Sequence, residues 1–62
     1  MIDLESVRIE AIDVFGSEAK ADHWLTTYHQ AFDAEPISLL HTAEGVAEVM
    51  KVLGAIKFGG VV

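Results

Sequence analysis

Apolar residues recur along this chain at helical spacing. Between Ile2 and Phe15, the residues Leu4, Val7, Ala11, Val14 and Phe15 fall on one stripe about 100° wide. Gly16 suits the left-handed position after a helix end, because it has no Cβ to clash. Ser17 can cap a second helix from about Glu18 to Tyr28, with Ala21, Trp24, Leu25 and Tyr28 on one side. His29 to Glu35 reads as a connection. Pro36 then fits the first turn of a short helix, whose buried residues would be Ile37, Leu39 and Leu40. Thr42 is an N-cap for a last helix from Ala43 to about Phe58, stopped by Gly59 and Gly60. No alternating strand pattern or repeat interrupts this order. The pattern predicts an all-α fold, a small compact bundle of three longer helices and one short helix. Residues 1–62 form a single domain in this reading.

Two faces carry more apolar residues than a small core needs. In the last helix Glu44, Glu48 and Lys51 share an arc of about 60°, and most of the remaining circumference is apolar. Val46, Val49, Met50, Val52, Leu53, Ile56 and Phe58 supply it. Such a helix either lies centrally in the core or meets a partner at one end. In the first helix Ile2, Ile9 and Ile12 face away from the Leu4/Val7 stripe and resemble a short a/d seam. They are candidates for self-association, with scattered surface isoleucines as the simpler reading.

Charge narrows the function. The 62 residues hold 4 Lys+Arg against 10 Asp+Glu, a net charge of −6. Arg8, Lys20, Lys51 and Lys57 are dispersed, so no basic patch is available to displace phosphate counterions, and nucleic acid is not an expected partner. No apolar run reaches the roughly 18 residues of a membrane span, and no basic region followed by an apolar stretch opens the chain as a secretory signal. Cysteine is absent, which removes disulfides, thiolate metal sites and a thiol nucleophile, and is compatible with a cytoplasmic location. Apolar residues make up 52% of the chain, so folding is expected over disorder.

Chemistry-bearing constellations are missing. His23, His29 and His41 lack metal-ligand spacing, and surface or cap histidines are the simpler reading. Adjacent Asp22 and His23 point in different directions on a helix, so with Ser17 they make no triad. The carboxylate pairs Glu10/Asp13 and Glu44/Glu48 read as solvated faces. Gly59-Gly60 follows a helix, where phosphate-cradling glycines open one. No catalytic residue, metal or cofactor is expected. The segment Phe58-Gly59-Gly60-Val61-Val62 differs in kind: it is an adaptable apolar end that could fold back or insert into a partner.

A set of residues in order carries a family resemblance. Phe15-Gly16, Ala21 with Trp24-Leu25, Pro36 with Leu39-Leu40, Thr42 with Gly45, then Val49, Leu53, Ile56 and Gly59 follow one another at matching spacings. The chain from about residue 7 to 62 resembles the C-terminal toxin-binding domain of Xre/MbcA/ParS antitoxins. The family usually carries a Gly-rich turn between Trp24-Leu25 and Pro36, and here that segment has no glycine.

The resemblance implies an antitoxin module for a RES-type toxin, an enzyme that consumes NAD⁺. It further implies that the C-terminal part covers the toxin's active-site entrance. Family members often carry a helix-turn-helix domain ahead of this region, and the chain shows none. Toxin contact is expected at Val52, Ile56, Lys57, Phe58, Gly59, Gly60, Val61 and Val62. The alternative is an interaction or homo-oligomerisation module of a transcriptional regulator, without toxin blocking. Phe15, Trp24, Leu39, Leu40, Val49 and Leu53 are assigned to the core, with Trp24→Ala expected to unfold the domain.

Overall fold

The computed structural model describes residues 4–59. Helix α1 spans Leu4–Phe15, α2 Glu18–Leu25 and α3 Ala43–Phe58, with a single 3₁₀ turn at Pro36–Leu39 ahead of α3. Among the described residues the only β pairing is an isolated bridge between His29 and Ala34. Helix α1 is the hub and packs against both α2 and α3, while the 3₁₀ turn sits between α2 and α3.

The local signals act as their chemistry dictates. Gly16 ends α1 at φ 86°, and its N–H donates to the Ile12 carbonyl at 2.7 Å. Ser17 Oγ accepts from the Lys20 N–H at 3.1 Å and Thr42 Oγ1 from the Gly45 N–H at 3.0 Å. Each cap satisfies one donor that its helix start leaves unpaired.

The second helix is shorter than its apolar pattern suggests. It stops at Leu25, because Thr26 and Thr27 turn back on it. The Thr26 hydroxyl donates to the Asp22 carbonyl at 2.7 Å and the Thr27 hydroxyl to the His23 carbonyl at 2.6 Å. Threonine hydroxyls compete for backbone groups in this way wherever a helix is weakly held. Tyr28 therefore lies beyond the helix, and it is exposed. Its hydroxyl donates to Asp33 Oδ1 at 2.7 Å, which holds the phenol pKa above its usual value. Asp33 itself sits at φ 55°. A short acidic side chain tolerates that conformation better than most, so Asp33 turns the chain without a glycine.

Among the described residues the buried core cluster is Val7, Ala11, Ala21, Leu25, Val46, Val49 and Leu53. Of the expected core, Val49 and Leu53 are fully buried, while Phe15, Trp24, Leu39 and Leu40 pack against it half-buried. Two expectations change. Leu4 is exposed at the start of α1. In the 3₁₀ turn it is Pro36 that is buried, and Ile37 points outward. In a tight turn of three residues per repeat only one face can meet the core, and Pro36 takes it.

Gly45 is buried where the first turn of α3 meets the 3₁₀ turn. A Cβ at this position would overlap the Leu39 carbonyl oxygen and stand 3.0 Å from the Leu39 Cβ.

Ion pairs join α1 to both neighbours. Arg8 Nε and Nη2 donate to the two Asp22 oxygens at 2.8 and 3.0 Å, and Nη2 also reaches Glu18 Oε1 at 3.2 Å. That bidentate bond holds the Asp22 carboxyl below its usual 3.8. A carboxylate with a lowered folded pKa stabilises the fold above its unfolded value, and the effect is lost as pH falls through the folded one. Asp22→Asn is therefore expected to lower the thermal midpoint at neutral pH and low salt. The gap to the parent chain should close in strong acid, and also at high salt, since the pair is solvent-exposed. Thermal circular dichroism across pH and salt checks both, and a gap indifferent to salt would contradict the ion-pair reading.

Candidate protein-binding surface

The C-terminal turn of α3 projects an apolar surface. Phe58 is 76% exposed, and Ile56, on another side of the same turn, is exposed as well. Val52, one turn earlier, is half-buried. Gly59 closes the helix, its N–H donating to the Ala55 carbonyl at 2.7 Å. Its φ of −137° is open to any residue, so the backbone there does not require glycine. Gly60, Val61 and Val62 lie outside the described residues.

Lys57 is engaged within the molecule. Its ammonium pairs with Asp13 at 2.6 Å and Glu10 at 3.9 Å, across the α1–α3 seam. These carboxylates raise the Lys57 pKa, first through the hydrogen bond to Asp13. The same ammonium lies 5.7 Å from the Phe58 ring centroid. Lys57 thus holds the last turn of α3 on α1 while Phe58 stays open to solvent. Glu10 and Asp13, which read as a solvated face in the sequence, are half of this tie.

The described isoleucines of α1 differ in exposure. Ile9 is 62% exposed, but Ile12 packs half-buried against the core. Ile2 lies outside the described residues.

Sequence reasoning missed a second apolar surface. An open groove of about 520 Å³ runs along the outer side of α2, between Phe15 at the end of α1 and Tyr28 beyond α2. Trp24 forms its floor, 5.6 Å from the Phe15 ring, 5.6 Å from His29 and 6.3 Å from Phe32 by ring centroids. The signal that could have found it is the ordered aromatic set Phe15, Trp24, Tyr28 and Phe32, which exceeds what the buried core uses. Among the described residues no group of three or more His, Asp or Glu could hold a metal, and no helix is long and apolar enough to cross a membrane.

Two apolar surfaces on a small acidic helical domain suit a protein partner. A family model for the antitoxin Xre/MbcA/ParS C-terminal toxin-binding domain matches residues 10–59. The chain belongs to this family. No curated protein and no solved structure matches it. In this antitoxin domain the matched span holds the Gly16 turn, Trp24, the Thr42 cap, the Gly45 crossing and α3 to its end. It stops at Gly59, so Gly60, Val61 and Val62 fall beyond it. A toxin-binding domain takes a protein toxin as its partner, and Phe58 and the Trp24 groove are its candidate contacts.

Proposed function

We infer that the domain neutralises a RES-type, NAD⁺-consuming toxin by covering its active-site entrance with the end of α3 and the residues after it. The observation that carries this reading is Phe58. A phenylalanine left 76% exposed at a helix end in a domain this small is costly in water and suits burial in a partner. Ile56, with Val52 one turn before it, adds a second apolar strip on another side of the same helix end, and the Lys57 ion pairs hold the last turn of α3 on α1. A net charge of −6 favours approach to a site that must be basic to hold the phosphates of NAD⁺. Gly59 and Gly60 let the backbone come close to such an entrance. Val61 and Val62 would add apolar contact.

The test is inhibition of NAD⁺ consumption by a purified RES-type toxin encoded next to this chain. The parent domain should stop the enzyme. Phe58→Asp should stay folded, since the ring is exposed, and need about 30-fold more protein, the scale of losing one hot-spot side chain. Equal potency of Phe58→Asp and parent would contradict a contact at this turn.

A further inference from the structure

The Trp24 groove has the makings of a second, separate contact. Its floor is held in place before anything binds, because Trp24 is flanked by Phe15, His29 and Phe32. A fixed aromatic surface loses little entropy on binding and is typical of interface anchors. Its volume of about 520 Å³ admits bulky side chains. Lys20 lines the same groove.

The groove also carries a cation. Arg8 and Lys57 are neutralised by acids within the fold, whereas Lys20, like Lys51 on α3, has no ion pair among the described residues, and of these two Lys20 lines the groove. The acids nearest to it on α2 are Glu18 and Asp22, and both are drawn to Arg8. His29 adds a donor: its Nδ1 accepts from the Ala31 N–H at 3.1 Å, which places the ring proton on Nε2. An otherwise acidic protein therefore offers an apolar floor beside an uncompensated cation.

Covering Lys20 with a purely apolar partner would strand a buried charge, so the matching partner brings a carboxylate. We propose that the groove lined by Phe15, Lys20, Trp24 and Tyr28 anchors the toxin, taking a bulky apolar side chain with a carboxylate about one helical turn away that pairs with Lys20. The proposal rests on the toxin-binding reading above and adds a second contact to it. Two observations favour the toxin over a second copy of this chain. All the groove residues fall inside the matched toxin-binding span. Two copies at −6 each repel one another at long range. The groove and the end of α3 then divide the work: the groove supplies affinity, and the α3 end blocks the toxin's entrance.

The test uses Trp24 as a reporter, since it is the chain's single tryptophan. The full chain is labelled with 5-fluorotryptophan and titrated with the unlabelled RES-type toxin, watching ¹⁹F shift and affinity together. The expected result is a shifted ¹⁹F resonance on binding. Lys20→Glu should weaken the complex about tenfold or more and flatten its salt dependence, while Lys20→Arg binds nearly as the parent does. Ala19→Glu, at an exposed groove position, should weaken it as well. Toxin binding with an unmoved resonance and parent-like variants would overturn the groove contact and leave the α3-end reading standing. Failure of the toxin to bind the parent chain would overturn both. A ¹⁹F shift that depends on the concentration of the chain alone would assign the groove to a second copy and overturn the proposal.

Discussion

Gly45→Ala is expected to remove a large share of the fold's stability. The first turn of α3 passes so close to the 3₁₀ turn that an added Cβ would overlap the Leu39 carbonyl oxygen. That obstacle is backbone, fixed between the buried Pro36 and the Thr42 cap, so it cannot swing aside as a side chain would. Relief requires α3 to lift away, which unpacks Val46 and Val49 from the core they share with α1. Overpacking of this kind costs about 1–3 kcal/mol, and more when backbone must move. A chain of 62 residues has a total of about 3–9 kcal/mol to lose at the usual stability per residue. Gly54→Ala provides the matched control in the same helix, because a Cβ there meets nothing within 4 Å. It should gain about 0.5–1 kcal/mol from helix propensity. Thermal and urea unfolding of the two variants checks the contrast. A Gly45→Ala chain that melts like the parent would show that the α3 crossing is looser than described.

Leu53→Ala is expected to cost more than Trp24→Ala, although tryptophan is the larger side chain. Leu53 is fully buried on the inner face of α3, among the residues that join α3 to α1. Removing its isobutyl group leaves a cavity in a small core, at about 2–5 kcal/mol. Little of the fold would survive the upper half of that range. Trp24 is half-buried, with part of its ring opening to the groove, so only part of its area is lost to the core on truncation. About 2 kcal/mol is expected there, below the full cost of a buried aromatic, so the half-burial of Trp24 replaces the unfolding expected of a core tryptophan with a partial loss of stability. Urea midpoints for the two variants decide the order. The reverse order would mean that the aromatic cluster around Trp24 is the true core.

What was legible in the sequence was local. Gly16, Ser17 and Thr42 act within four residues of themselves, so their roles follow from residue type and position. The bounds of α3 follow for the same reason. The end of α2 was not legible, because its apolar spacing continues to Tyr28 while the hydroxyls of Thr26 and Thr27 terminate it earlier. The turn that lacks glycine depends on Asp33, and nothing local marks that residue for a positive φ until Tyr28 is seen to bond it. Cross-helix ties were equally hidden: Arg8 and Asp22 lie 14 residues apart. Lys57 looked like a contact for a partner, and folding spends its charge on Asp13 and Glu10. For the binding surface, the exposure of Phe58 agrees with the apolar excess of α3. The Trp24 groove did not show, since a half-buried aromatic and a core aromatic read alike in sequence.

The central claim is that the end of α3 stands where NAD⁺ must enter the toxin. Its most direct test is the pattern of inhibition of the purified RES-type toxin by this domain as NAD⁺ is varied. A domain that covers the entrance should compete with NAD⁺, raising the apparent KM while kcat is recovered at high NAD⁺. Inhibition that lowers kcat and leaves KM unchanged would place the domain away from the entrance and contradict the account.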